Sequence, residues 1–195
     1  MSYIGRQFPN MVVKATDAQG ETSEINVFEE AVNNKKKVLL FWWPKDYSPL
    51  CPTELHAFQE ALPEFDGRNT IIIGASCDTI EVHNAWLNTE QNNGGVKGIT
   101  YPIISDANRN LSSVLDILDI KDVVLDEESG VDLVEGENVA YRATYLIDET
   151  GHVFHEGINH MPLARRVGDY LRMIDAFAML QQHGELCPAN WESEG

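Results

Sequence analysis

Three cysteines carry the side chains of this sequence that most readily take part in covalent or redox chemistry: Cys51, Cys77 and Cys187. They are odd in number and widely spaced, which is unlike a disulfide scaffold and unlike a close-spaced zinc site. We therefore expect neither a metal nor a cofactor. In a reducing compartment an unpaired cysteine is either an inert core residue or a reactive one, so the neighbours of each cysteine must decide.

Cys51 stands where a proline-containing loop meets a predicted helix. Leu55, Phe58 and Leu62 have helical spacing, and Pro52 suits a first helical turn. The unpaired backbone N–H groups of a helix start favour the nucleophilic thiolate form of a cysteine. From position alone an alternative stays open, because many cysteines of this kind are buried small residues behind a strand.

A hydroxyl and two prolines could complete a pocket for this thiolate. Ser48 lies three residues before Cys51 and can donate a hydrogen bond to the sulfur or to an oxygen beside it. Pro44 and Pro52 stiffen the loop and exclude water from it. Together these residues predict a compact reactive site.

The elements that would position this site can be predicted from apolar patterning. Residues 37–43 and 70–75 are continuous apolar runs typical of strands buried on both faces, and residues 51–65 form the helix between them. Such a unit has parallel strands. Further predicted elements are a helix at 81–89, a short apolar stretch at 101–104, a hairpin of 143–148 with 152–156, and a long amphipathic helix at 165–180. We predict one α/β domain over residues 1–195, with residues 181–195 as a polar C-terminal tail.

Charge and hydropathy limit the partners. The formal net charge of −17 opposes binding to nucleic acid, because phosphate contacts need clustered Lys and Arg. The opening residues lack the apolar core of a signal peptide, and no run approaches the roughly 18 apolar residues of a membrane span. We expect a soluble, cytoplasmic protein without membrane contact. The acidic stretch 116–137 is interpreted as a solvated loop or a short amphipathic helix.

Two segments resemble one known family. FWWPKDYSPLCPTEL, residues 41–55, is similar to the peroxidatic signature of the peroxiredoxins, with Pro44, Ser48 and Cys51 in register. HGELCPANW, residues 183–191, is similar to the resolving segment of typical 2-Cys peroxiredoxins. The WPKD portion most resembles the alkyl hydroperoxide reductase C proteins of bacteria, and the resemblance covers nearly the whole chain.

The resemblance implies a thioredoxin-like fold, with a central mixed β-sheet flanked by helices, and a thiol-dependent peroxidase. Cys51 would be the peroxidatic cysteine, oxidised to sulfenic acid by hydrogen peroxide or an organic hydroperoxide. Cys187 of the partner subunit would resolve it to an intersubunit disulfide. An external dithiol, which could be thioredoxin, a dedicated flavoprotein or another disulfide carrier, would then reduce that disulfide. The family also implies a homodimer formed by pairing of sheet edges, often assembled into a decamer of five dimers.

The same resemblance implies roles for three charged residues and leaves one cysteine without a role. Arg142 would be the active-site guanidinium, Glu54 would orient it, and Arg165 would help to hold this network. Taken alone, either arginine could be a surface residue, and the helix dipole alone could account for Glu54. Cys77 is interpreted as a packing residue.

The sequence departs from the family at several places, including Pro49 after Ser48 and residues 93–98, which match the family's glycine loop only in part. Ser48 replaces the more usual threonine, and residues 120–136 are longer than their counterpart. The residues after Cys187 contain no Tyr-Phe pair of the kind that closes the C-terminal helix in oxidation-sensitive relatives. Fewer contacts to the tail would let Cys187 reach the sulfenic acid sooner.

Two other functions compete with the peroxidase hypothesis. A thioredoxin-like disulfide oxidoreductase has the same strand, helix and strand unit, but it needs a nearby CxxC pair and Cys51 is followed by Pro-Thr-Glu. A ring-forming holdase chaperone is compatible with peroxiredoxin assembly and would not need Cys51.

Overall fold

The computed structural model describes residues 2–184 and 186–192, and its central feature is a seven-stranded sheet. The sheet is built from β1 Val13–Thr16, β2 Thr22–Ile25, β3 Lys37–Trp42, β4 Thr70–Ser76, β5 Ile103–Ser105, β8 Arg142–Ile147 and β9 Val153–Asn159; a separate pair is β6 Asp122–Asp126 and β7 Val131–Glu135. The helices are α1 Val27–Asn34, α2 Cys51–Glu60, α3 Leu62–Gly67, α4 Ile80–Leu87, α5 Asn110–Val114 and α6 Val167–His183. A 3₁₀ turn at Gln91–Asn93 follows α4.

The large sheet has the order β2-β1-β5-β4-β3-β8-β9. Strands β3, β4 and β5 are parallel, whereas β1 and β8 run antiparallel to their neighbours. The predicted mixed sheet is confirmed, as are the parallel β3–β4 pair and the β8–β9 hairpin. All six residues of β3 are buried, because this strand lies inside the sheet with core on both of its faces.

Alternate residues of β3 serve two different cores. Val38, Leu40 and Trp42 pack into one core together with residues of α1 and α5. Leu39 and Phe41 face the other core, which holds residues of α2 and α6. The helix that begins with Cys51 is therefore fixed against the centre of the sheet by apolar contacts on its inner face.

The predicted helices are present, but their bounds differ from the prediction. The single helix expected over residues 51–65 is divided at Ala61 into α2 and α3. Pro63 explains the division, since its nitrogen has no hydrogen to donate to the preceding turn. Helix α6 continues to His183, three residues beyond the expected end, and stops at Gly184, which has a positive φ of 68°.

The acidic stretch 116–137 is neither the loop nor the helix that we expected. Strands β6 and β7 form an antiparallel hairpin, with Asp126 opposite Val131 in the register. The Asp126 carboxylate accepts hydrogen bonds from the Glu128 backbone N–H and the Ser129 hydroxyl, and Gly130 adopts a φ of 69°. The interpretation was wrong because valine favours strands, and Val123, Val124 and Val131 do so here although they are exposed.

Within the described part of the chain, no helix combines the length and the apolar character needed to cross a bilayer.

Candidate functional site

The candidate site lies where the chain leaves β3 and enters α2. Cys51 is the first residue of α2 and is completely buried. Pro52 occupies the first turn, as predicted, and Pro44 is buried in the bend after β3. The Ser48 hydroxyl accepts a hydrogen bond of 3.2 Å from the Cys51 backbone N–H. Ser48 therefore holds the start of α2, and its own proton remains available for donation.

Arg142 reaches the sulfur from the neighbouring strand. It is the first residue of β8, which pairs with β3, and it is 3% exposed. Its Nη1 lies 3.3 Å from Cys51 Sγ and 2.5 Å from Glu54 Oε2, while its Nε donates to the carbonyl oxygen of Met161. Residues 91 positions apart in the sequence thus meet at one sulfur atom.

Glu54 joins two arginines one helical turn after Cys51. Arg165 Nε donates to Glu54 Oε1 at 2.8 Å and Arg165 Nη2 donates to Glu54 Oε2 at 2.9 Å, a bidentate pair. The Arg165 backbone N–H adds a third bond to Glu54 Oε1. Burial alone would raise the pKa of Glu54, but the bonds and charge of Arg165, together with the charge of Arg142, lower it below its ordinary value. Glu54 is therefore ionised at neutral pH.

The guanidinium of Arg165 is fixed on its other sides as well. Its Nη1 donates to the Ala143 carbonyl oxygen and to Thr144 Oγ1, at 3.0 and 3.2 Å. Its carbon lies 5.1 Å from the centre of the Phe41 ring, in cation–π contact. Thr144 in turn donates to the Tyr170 hydroxyl at 3.2 Å. Sequence reasoning missed Thr144 and Tyr170, since nothing in their local sequence marks them.

The buried cluster has an excess positive charge. Arg142 and Arg165 carry two positive charges and Glu54 carries one negative charge, so one positive charge remains beside Cys51. In a site shielded from water this charge interacts with a neighbouring negative charge more strongly than it would at the surface. The arrangement can therefore stabilise negative charge that develops on atoms reacting next to the sulfur.

The other two cysteines lie elsewhere, and all three are free thiols. Cys77 is buried, and its sulfur is 3.7 Å from Ser112 Oγ. Burial raises the pKa of the Cys77 thiol, which favours its protonated form. Cys187 is half-buried in the segment after α6. This segment is tied to the helix by a 2.6 Å bond from Arg172 Nε to the Trp191 carbonyl oxygen.

Comparisons with known proteins show which family the chain belongs to. The sequence model of the AhpC/TSA family matches residues 4–156. The chain is 35% identical over 184 residues to alkyl hydroperoxide reductase C of Buchnera aphidicola subsp. Baizongia pistaciae, covering 94% of this chain and 84% of that protein. It is 36% identical over 180 residues to the mitochondrial thioredoxin-dependent peroxide reductase of Drosophila melanogaster, covering 91% of this chain and 70% of that protein.

Solved structures show the same relationship. The reduced 2-Cys peroxiredoxin of Plasmodium vivax superposes with a TM-score of 0.86 at 30% identity, covering all of this chain and 92% of that one. Enterococcus faecalis AhpC superposes with a TM-score of 0.77 at 28% identity, covering 96% of this chain and all of that one. The chain therefore belongs to the AhpC/TSA family, as a peroxiredoxin with the thioredoxin-like fold and a thiol-dependent peroxidase.

Proposed function

We propose that Cys51 is the peroxidatic cysteine of this enzyme and that hydrogen peroxide and organic hydroperoxides are its substrates. The observation that carries the proposal is the 3.3 Å contact between Arg142 Nη1 and Cys51 Sγ at the buried start of α2. A fixed cation and a helix start act together on one sulfur there. The Cys77 sulfur instead contacts a hydroxyl oxygen, Ser112 Oγ at 3.7 Å.

In the proposed reaction, the Cys51 thiolate attacks the terminal oxygen of the hydroperoxide. A sulfur–oxygen bond forms as the O–O bond breaks, and two electrons pass from sulfur to the leaving oxygen. The leaving group takes up a proton and departs as water or an alcohol, while Cys51 becomes a sulfenic acid. Arg142 and the Ser48 hydroxyl, which can donate its hydrogen, can stabilise the negative charge that develops on the leaving oxygen.

We further propose that Cys187 of the partner subunit resolves the sulfenic acid. Its thiol condenses with the oxidised Cys51, releasing water and forming a disulfide that an external dithiol reopens by exchange. A disulfide requires Cα atoms within about 7 Å, and Cys51 is completely buried, so the first turn of α2 must unwind. The Arg172–Trp191 contact holds the tail against α6, and this contact must also give way.

The working unit in this proposal is a homodimer, with further assembly into a decamer of five dimers. Strand β9 lies at one end of the large sheet, and Ile158 on it is 53% exposed. An end strand of this kind can pair with its counterpart in a second copy. The electron donor that reduces the disulfide is an external dithiol such as thioredoxin, a dedicated flavoprotein or another disulfide carrier. We place the cycle in the cytoplasm, because recycling needs a reducing pool.

Product mapping tests this assignment. Reduced protein is treated with one equivalent of hydrogen peroxide, run on a non-reducing gel and digested for mass spectrometry. We expect a crosslinked dimer containing a Cys51–Cys187 disulfide. In Cys187→Ser we expect no disulfide-crosslinked dimer on the gel. We expect a sulfenic acid on Cys51, which dimedone traps. Cys77→Ser is the control and keeps the dimer. A dimer that persists in Cys187→Ser would contradict the resolving role, and dimedone on Cys77 would contradict the assignment of Cys51.

Arg142→Lys tests the guanidinium separately from its charge. Lysine keeps the positive charge but cannot bond Cys51, Glu54 and the Met161 carbonyl together. The loss of one charged hydrogen bond, about 2 kcal/mol, corresponds to a roughly thirtyfold slower oxidation by peroxide. Stopped-flow fluorescence measures the rate. Arg166→Lys is the matched control, since the Arg166 side chain is 84% exposed and should give the wild-type rate. An unchanged rate in Arg142→Lys would mean that only the positive charge at this position contributes to the reaction, and not the hydrogen bonds of the guanidinium.

A further inference from the structure

A buried polar pair lies behind the loop that carries Ser48. Asp46 is 4% exposed, and His83 on α4 is completely buried. One Asp46 carboxylate oxygen accepts a bond of 2.7 Å from Trp43 Nε1, and the other is 2.7 Å from His83 Nδ1. The carboxylate thus connects the end of β3 to α4.

The backbone of the same residue is fixed by a second carboxylate. The Asp46 N–H donates to Asp78 Oδ2 at 2.8 Å, and the Ser76 hydroxyl donates to the same oxygen at 2.9 Å. Ser76 is the last residue of β4. The side chain and the main chain of Asp46 are therefore held by three elements of the fold: the ends of β3 and β4, and α4.

The chain turns directly after Asp46, and the Tyr47 ring lies 5.9 Å from the ring of Trp86 on α4. Tyr47 adopts a left-handed φ of 57° and is 51% exposed. Ser48 follows and bonds the Cys51 backbone N–H. Asp46 therefore stands two residues before the hydroxyl that bonds the start of α2, at the head of the turn that leads to Ser48.

Stability alone does not account for this pair. Burial raises the pKa of Asp46 and the His83 interaction offsets this only in part, so the ionised carboxylate is costly where it lies. Among the described protein atoms, His83 Nε2 has no hydrogen-bond partner. Replacing buried polar pairs by apolar residues of similar volume is often neutral or stabilising. The pair is better explained by the placement of the loop.

We propose that Asp46 and His83 are positioning residues for the peroxide reaction, because they fix the loop so that Ser48 and the first turn of α2 hold the geometry around Cys51. The inference rests on the proposed function of Cys51. It concerns the geometry of peroxide attack, and neither residue is placed in contact with the substrate.

Two reaction rates measured at Cys51 distinguish a loss of positioning from a general loosening of the structure around the site. In Asp46→Ala and His83→Leu, quenched-flow mass spectrometry measures the oxidation of Cys51 by hydrogen peroxide and its alkylation by iodoacetamide. Alkylation needs a thiolate but no oriented hydroxyl. We expect oxidation to slow by about tenfold to a hundredfold, the scale of a misplaced reacting group, while alkylation stays within about threefold of wild type.

Conservative variants test whether the lost oxidation rate can be recovered by restoring the hydrogen bonds. Asp46→Asn keeps an acceptor for Trp43, and His83→Asn keeps a donor near the position of Nδ1. We expect both to recover most of the lost oxidation rate, which also covers the case in which Asp46→Ala or His83→Leu fails to fold. The matched control is Asp106→Asn, since Asp106 is another buried acid but caps α5 through Leu111 and Ser112. It should lower the melting temperature without a loss specific to peroxide.

Three results would overturn the proposal: wild-type oxidation in Asp46→Ala, equal changes in oxidation and alkylation, or folded asparagine variants that recover nothing. Failure of the proposed function has a different signature. In that case Cys51→Ser would keep peroxide consumption, whatever the Asp46 and His83 variants do.

Discussion

Replacing Cys51 by serine is expected to reduce peroxide consumption on the order of 10⁵-fold, the scale of removing an enzyme's nucleophile. A serine hydroxyl at the start of α2 stays protonated at neutral pH, and its oxygen does not undergo the two-electron oxidation that sulfur does. The residue size is nearly unchanged, so the contacts of Arg142 and Glu54 should persist. Loss of hydrogen peroxide, followed at saturating dithiothreitol, measures the effect without depending on the protein donor.

The matched control is Cys77→Ala, which removes a second buried thiol of the same chain. Cys77 belongs to the core on the opposite face of the sheet from Cys51. Removing its sulfur should cost about 1 kcal/mol of stability and leave the peroxidase rate at the wild-type value. The assignment of Cys51 would be contradicted by substantial activity in Cys51→Ser, or by an equal loss of activity in a folded Cys77→Ala.

The parts of the fold that could be predicted are those whose signal is local. The apolar runs of β3 and β4 are long and uninterrupted, because strands inside a parallel sheet are covered on both faces. Helix α6 has a periodic apolar stripe along its 17 residues, so only its bounds, by two residues at the start and three at the end, were misplaced. Strand β2 gives no such signal, since three of its four residues are exposed and only Ile25 is buried. Its pairing with β1 decides its structure.

The residues of the candidate site also divide into those with a local sequence signal and those that only the fold brings together. Ser48, Cys51 and Glu54 lie within seven residues, and a motif with a helix start could locate them together. Arg142 and Arg165 were placed by resemblance, because no local pattern shows that an arginine at the start of β8 lies next to a sulfur at the start of α2. The bond between His83 and Asp46 spans 37 positions and was missed entirely. Both residues look like surface polar residues until the fold buries them.

Glu54→Gln is expected to destabilise the enzyme by about 3–5 kcal/mol, the usual result of leaving buried charges without their partner. Glu54 is the shared acceptor of Arg142 and Arg165, and the side chains in these ion pairs are at most 4% exposed. Glutamine keeps the shape but not the charge, so the two guanidiniums repel each other and Arg142 moves away from Cys51. Urea unfolding measures the stability, and we expect peroxide oxidation of Cys51 to slow by about a hundredfold, since the reacting groups lose their alignment. Glu60→Gln, on the exposed end of the same helix, is the control.

The pH dependence of this stability has a definite sign. Because the folded protein holds the pKa of Glu54 below its ordinary value of 4.5, ionised Glu54 adds stability above that pH. The contribution is lost as the pH falls through the folded value, where Glu54 becomes protonated and resembles glutamine. The difference in urea stability between wild type and Glu54→Gln should therefore be full at pH 7 and should narrow below about pH 4.5. A difference that is independent of pH would mean that Glu54 acts through its shape and hydrogen bonds, and not as the anion that holds Arg142 at the sulfur.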